Sequence, residues 1–252
     1  MARGTAGRRD APGRAPVALV TGAAHRLGRE LALGFGRAGF DVAVHFRSRP
    51  EDAGETGRAL RLAGAKAATF RADLTRVDAP GLLVRRVLSV FGRLDLLVHA
   101  ASPWVTRGVA EVTLEDWEGA FRVGPRAAFF LAQAATPALR ARKGAILLIS
   151  DVAATKAWPR HVPHAAAKAA LDSLVKNLAV ALGPEIRVNG IAPGIVLPPA
   201  QLPDEEVARL VAKTPLRRRV DVADLVSMAV AVAANRSMTG QVVAVDAGRS
   251  CV

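Results

Sequence analysis

From residue 16 onward the chain alternates short runs of β-favouring apolar residues with longer amphipathic stretches, and this alternation limits the fold more than any other feature. Two neighbouring parallel strands need a crossover long enough to hold a helix, so a repeated strand–helix pattern predicts βαβ units wound into one parallel sheet. Strands are expected near Val17–Val20, Asp41–Phe46, Ala67–Arg71, Leu94–Ala100, Ala145–Ser150, Ile186–Ile191 and Val242–Asp246. Helices are expected over Arg26–Ala38, Pro50–Ala63, Pro80–Phe91, Leu114–Phe121, Arg126–Arg142, Val162–Leu182 and Asp221–Ala233. The predicted fold class is α/β, a Rossmann-type doubly wound seven-stranded parallel sheet with helices on both faces. The chain divides into a basic flexible tail over residues 1–15 and one domain over 16–252, in keeping with a length of 252 residues. Residues 197–220 carry four prolines and little periodicity, so they are expected to form an irregular substrate lid.

Composition narrows the class further. Cys251 is the single cysteine, which excludes an intrachain disulfide framework or a cysteine-ligated zinc site and suits a reducing compartment. No metal is expected. No apolar run has signal-peptide or membrane-span length, so a cytoplasmic protein without membrane association is predicted. The formal charge of +13 attracts anions in general. Its arginines are scattered, apart from a cluster in the tail, with no basic helix and no interleaved aromatics, so no specific nucleic-acid partner is predicted.

The first predicted strand runs straight into Thr21-Gly22-Ala23-Ala24-His25-Arg26-Leu27-Gly28 and a helix. A tight strand-to-helix turn lets backbone N–H groups and the positive helix end meet a pyrophosphate. At the tip of the second strand, where a carboxylate would bind the ribose hydroxyls of NAD, the chain has Arg47, Ser48 and Arg49. Guanidinium and hydroxyl groups suit a 2′-phosphate, so NADP(H) is the expected cofactor, with Arg47 and Ser48 as contacts and Arg49 a further one.

These motifs, with Ala100-Ala101-Ser102, His164-Ala-Ala-Ala-Lys168, Asn189 and Pro193-Gly194, resemble in order and spacing the short-chain dehydrogenases/reductases. Arg26 in place of the family's third glycine is similar to the pteridine reductase and dihydromonapterin reductase branch. The resemblance implies a cofactor site formed by Thr21, Gly22, His25, Arg26, Leu27, Gly28, Arg47, Ser48, Asp73, Leu74, Ala100, Ala101, Lys168, Pro193 and Gly194. Asp73 either contacts the adenine or caps the next helix.

The same resemblance places a catalytic Tyr four residues before Lys168, but His164 stands there and the chain contains no tyrosine. Thirteen residues upstream, where most of the family has Ser, stands Asp151, as in the pterin-reducing branch; a plain cap or turn role is the alternative. The family's water-ordering Asn maps onto Gly124, and its Asn-Asn-Ala-Gly segment onto His99-Ala100-Ala101-Ser102. The implied catalytic set is Asp151, His164 and Lys168. A cationic neighbour lowers an imidazole's pKa and a carboxylate raises it, so Lys168 alone would keep His164 neutral at pH 7 while Asp151 opposes that shift. The implied substrate contacts are Arg26, Ser102, Trp104, Asp151 and Trp158, with Trp104 either stacking on a bicyclic ring or packing in the core. His161 either lines the cleft or packs, and Trp117 is expected to pack.

The expected function is NADPH-dependent reduction of a pterin-like or other small carbonyl or imine substrate. The alternative is a non-catalytic NADPH- or ligand-binding member that has lost the Tyr and Asn. The apolar segment Ala165–Ala181 and the last strand resemble the family's assembly surfaces, which implies a homotetramer.

Overall fold

A computed structural model describes residues 14–199 and 202–252; residues 1–13 of the expected tail, and Ala200 and Gln201 of the expected lid, lie outside the described residues. The elements run β1 (Val17–Thr21), α1 (Arg26–Arg37), β2 (Asp41–Phe46), α2 (Pro50–Leu62), β3 (Ala67–Arg71), α3 (Ala79–Phe91), β4 (Leu96–His99) and α4 (Leu114–Phe121), then α5 (Ala127–Arg142), β5 (Ala145–Ile149), α6 (Val162–Leu182), β6 (Arg187–Pro193), α7 (Asp204–Ala212), α8 (Val222–Ala234) and β7 (Val242–Val245). The seven strands form one sheet in the order β3-β2-β1-β4-β5-β6-β7, and every neighbouring pair is parallel. The order reverses between β1 and β4, so the crossovers diverge there and leave a crevice at the carboxyl ends of the strands.

Alternation along each strand assigns side chains to two cores. Val17, Leu19, Leu97, Ile146 and Leu148 face the layer containing α3, α5 and α6. Ala18, Val20, Leu96, Val98, Leu147 and Ile149 face the layer containing α1, α2 and α8. Strands buried on both faces account for the continuous apolar runs in the sequence, and each fully buried leucine among them contributes about 1.5–3 kcal/mol.

Two expectations need correction. Residues 197–220 are not irregular throughout, because they contain α7. Pro203 precedes this helix and Asp204, Glu205 and Glu206 fill its first turn, where carboxylates meet the positive end of the dipole. The helix predicted to begin at Arg126 is instead preceded by a π-turn over Arg122–Arg126, in which Gly124 leaves helical geometry (φ −77°, ψ −107°) ahead of Pro125; a proline here supplies no N–H for the regular ladder.

The approach of α1 to the crevice depends on missing side chains. A Cβ on Gly28 would lie 2.1 Å from the Gly22 carbonyl oxygen, and one on Gly22 would lie 2.9 Å from Ala101 Cα. Gly22 also has φ +67°, a left-handed conformation that glycine adopts without steric cost. Gly28→Ala is therefore expected to lower the unfolding free energy by about 1–3 kcal/mol through overpacking. Urea unfolding measures this directly, and unchanged stability would contradict the described seating of α1 on the loop.

Candidate active site at the carboxyl edge of the sheet

Parallel strands bring the ends of β1, β2, β4, β5 and β6 to one edge. Thr21 and Gly22, Arg47 and Ser48, Ala100 and Ala101, Asp151, and Pro193 and Gly194 all follow or end these strands. Gly194 closes the far side: its N–H donates to the Val245 carbonyl (3.0 Å), and a Cβ there would lie 2.7 Å from Asp246 Cα.

The loop from Thr21 to Gly28 leaves the start of α1 open. His25 precedes the helix without capping it, and no acidic residue lies in the first turn, so the N–H groups around Arg26, Leu27 and Gly28 retain donor capacity toward an anion. Arg26 has φ +52°, the left-handed conformation that a glycine would hold without strain. Its guanidinium donates to the carbonyls of Leu197 and Pro198, which ties the Thr21–Gly28 loop to the segment after β6. At the tip of β2, Arg47 and Ser48 are exposed, while Arg49 pairs with Asp52 at 3.3 Å. Asp73 does not cap α3, whose first turn follows Asp78; its Oδ1 instead accepts from the Thr75 N–H and hydroxyl. Burial works to raise the Asp73 pKa, but these bonds and the Arg47 charge outweigh it and hold the carboxyl below its ordinary value. The Leu74 side chain is buried in the core.

Two buried histidines stabilise this edge, and no motif announced their roles. His45 accepts from the Gly22 N–H on Nδ1 (3.1 Å) and donates from Nε2 to the Ala72 carbonyl (3.1 Å). His99 accepts the Thr21 hydroxyl on Nδ1 (3.0 Å) and donates from Nε2 to the Val123 carbonyl (3.0 Å). The Thr21 oxygen then accepts the Ala100 and Ala101 N–H groups at 3.1 and 3.2 Å. Both rings are neutral in these roles, since each must keep one nitrogen as an acceptor. Burial pushes His45 down to about 4; burial, with the Lys168 charge adding to it, pushes His99 down to about 3.

At the end of β5 Asp151 divides its oxygens. Oδ1 accepts the Ala153 N–H (2.8 Å) and caps a short turn, while Oδ2 lies 3.4 Å from His164 Nε2. His164 is buried in the first turn of α6, and Lys168 follows one turn later on the same face. Lys168 is buried and donates to the Ile149 carbonyl at 2.7 Å. Burial lowers its pKa to about 8, with Asp151 and then Asp172 opposing the shift. Asp172 receives the Ser150 hydroxyl, and burial raises its carboxyl pKa against that bond and the Lys168 charge. Gly124 lies across from α6, where a Cβ would meet Ala167 Cβ at an ordinary 3.7 Å.

Aromatic rings build the outer wall. Trp104 lies with its ring centroid 4.9 Å from His164, 4.7 Å from His161 and 6.1 Å from Trp158. It is 44% exposed, so it is not core and offers a face to the cleft. His161 donates from Nδ1 to the Val105 carbonyl at 3.0 Å, and burial lowers its pKa. Ser102 is exposed beside Trp104. Trp117 stands apart, stacked on Phe121 at 5.0 Å. Asn189, part of the sequence resemblance, is structural: it joins β6 to the turn before β7 through Met238 and Gln241. Arg249, which no motif singled out, brings its guanidinium to 5.2 Å from the Trp158 ring centroid.

A family profile described as enoyl-(acyl carrier protein) reductase matches residues 22–250. The chain is 38% identical to the hydroxynaphthalene reductase-like protein Arp2 of Metarhizium robertsii over 180 residues, 71% of this chain and 67% of that one. A short-chain dehydrogenase/reductase of Serratia marcescens, solved as a double mutant, superposes with a TM-score of 0.88 at 27% identity, covering 93% of this chain and 98% of the other. This chain belongs to the short-chain dehydrogenase/reductase family. Within that family it is also similar to FolM alternative dihydrofolate reductase 1 of Brucella suis, solved in complex with NADP, with a TM-score of 0.88, 32% identity and coverage of 94% and 96%. Among the described residues no helix is long and apolar enough to cross a membrane.

The depressed histidine pKa values give this reductase-family fold a specific acid sensitivity. Below pH 6.5 the unfolded chain protonates His45 and His99 while the folded chain does not. Stability is therefore lost as the pH falls through the window from 6.5 toward about 4 for His45 and about 3 for His99, by about 1.4 kcal/mol per pH unit for each histidine. Unfolding free energies between pH 7 and 4.5 are expected to fall with this slope, and His99→Asn should remove about half of it. An unchanged slope in the variant would contradict the neutral, buried role of His99.

Proposed function

We propose that this family member is an NADPH-dependent reductase of a flat, pterin-like or other small carbonyl or imine substrate. The observation that carries the reading is the His164–Asp151 pair, 3.4 Å apart, beside buried Lys168, with the partly exposed Trp104 ring 4.9 Å from His164. The residues suit the dinucleotide: the glycine-only contacts of Gly22 and Gly28 leave room for close backbone approach, the uncapped start of α1 offers donors, and Arg47 and Ser48 offer charge and a hydroxyl at the tip of β2. A bound nicotinamide supplies the hydride. The chain's own task is to hold the ribose with Lys168, to exclude water with the tryptophan wall, and to keep one proton on the His164–Asp151 pair. An imidazole facing a carboxylate can serve as general acid where the family uses a phenol. The solved NADP complex of the Brucella FolM protein supports the choice of dinucleotide, and the fused-ring name of the Metarhizium relative is in keeping with a flat substrate.

The segment after β6, held by Arg26, is proposed to act as the substrate lid. The half-exposed edge strand β7 and the exposed apolar residues of α6 are proposed as contacts of a homotetramer, and the cytoplasm as its compartment. Light scattering showing the mass of four chains would support the assembly; a monomer would contradict it.

Calorimetry should show NADPH binding at least about tenfold tighter than NADH, and Arg47→Asp should abolish that preference, since a charge-assisted contact is worth about 1.5–3 kcal/mol. NADPH consumption with 7,8-dihydrobiopterin, dihydromonapterin and a carbonyl panel is then followed from pH 5 to 8. Turnover that falls about 100-fold or more in both His164→Ala and Asp151→Asn supports the reading. Tight NADPH binding without turnover of any substrate, unrelieved by His164→Tyr, would overturn it in favour of a nucleotide-binding protein.

A further inference from the structure

Arg249 lies in the last turn of the chain, yet its backbone is fixed. Asp246 accepts the N–H groups of Gly248 (2.9 Å) and Ser250 (2.7 Å), and the Lys156 ammonium donates to the Arg249 carbonyl at 3.1 Å. A Cβ on Gly248 would lie 2.6 Å from Pro215, so the turn is packed against the segment that follows α7. This anchoring sets the guanidinium over Trp158, which in turn meets Trp104 edge to face.

The donors at this point have no acceptors. Trp158 Nε1 and Arg249 Nε are buried, and neither has a hydrogen-bond partner among the described residues. The nearby carboxylates do not supply one: Asp246 is committed to its two N–H groups, and Asp151 faces Ala153 and His164. Neither forms an ion pair with Arg249 among the described residues. Buried donors without acceptors are costly, and a planar guanidinium on an indole face is well suited to an anionic oxygen on a flat ligand.

We propose that Arg249, backed by Trp158, is a specificity-determining substrate contact that receives an anionic oxygen carried by the flat substrate lying against Trp104. The inference deepens the reductase reading and rests on it. Burial lowers the Arg249 pKa while Asp151 and Asp246 oppose the shift, which fits a cation held in partly dehydrated surroundings and open to a further anion. The oxygen belongs either to a carboxylate substituent or to an ionised ring hydroxyl, and the two arms of the test separate them.

The full chain, with NADPH present, is titrated calorimetrically with 2-naphthoate against 2-naphthamide, and with 4-nitro-1-naphthol, ionised at the assay pH, against its methyl ether. At least one anion should bind about tenfold or more tightly than its neutral partner, as a charge-assisted contact requires; which one does identifies the source of the oxygen. Arg249→Gln should bring that ratio close to one, Arg249→Lys should keep part of it, and Trp158→Phe should reduce it while preserving the ring. The affinity for NADPH should stay unchanged in all three. No charge preference in the parent protein, no binding of any probe, or a preference that survives Arg249→Gln would each overturn the proposal. NADPH saturation without charge preference would leave the reductase reading standing, whereas charge preference without NADPH binding would sink that reading and leave the acidic-ligand site.

Discussion

The hydroxyl of Thr21 is the joint on which the crevice depends. It donates to His99 and accepts two N–H groups from the chain after β4, which exhausts its hydrogen-bonding capacity. Through it β1 is clipped to β4 at the one place where the strand order reverses, and His99 extends the clip to Val123 in the π-turn. His45 does the same work on the other side, joining the Gly22 loop to β2 and to the end of β3. Both rings function only as neutral imidazoles, so the architecture of the Thr21–Gly28 loop is linked to pH.

His164 and Asp151 face one another at the end of β5, with Lys168 one helical turn further along α6. One Asp151 oxygen is held by the Ala153 N–H while the other faces the His164 ring. Lys168 is costly to bury: with its pKa lowered to about 8, the penalty of holding it charged is present below pH 8 and is relieved between about 8 and 10.5. Its bond to the Ile149 carbonyl and the nearby Asp151 and Asp172 carboxylates offset part of that penalty.

The period of the apolar residues made the sheet and its flanking helices readable from sequence, because strands buried on both faces and amphipathic helices leave distinct spacings. The four-residue spacing of His164 and Lys168 likewise announced a shared helical face, while Asp151 came in through the family resemblance and Arg47 and Ser48 through their place after β2. Other features were hidden for physical reasons. The helix α7 follows prolines that read as breakers, although Pro203 stands just outside its first turn. The π-turn at Gly124 and Pro125 falls where the helical spacing of apolar residues continues on either side, so the periodicity did not mark it. The roles of His45 and His99 lie in hydrogen bonds to other strands and loops, which no local pattern reports. Arg249 reaches the cleft only through the turn after β7, a contact between residues some ninety positions apart from Trp158 in sequence.

The most direct test of the whole account is a crystal structure of the chain with NADPH bound. The pyrophosphate is expected against the N–H groups at the start of α1, the 2′-phosphate between Arg47 and Ser48, and the nicotinamide ring between Lys168 and Trp104 with the His164–Asp151 pair beside it. A dinucleotide bound elsewhere, or one whose nicotinamide lies outside the reach of His164 and Lys168, would contradict it.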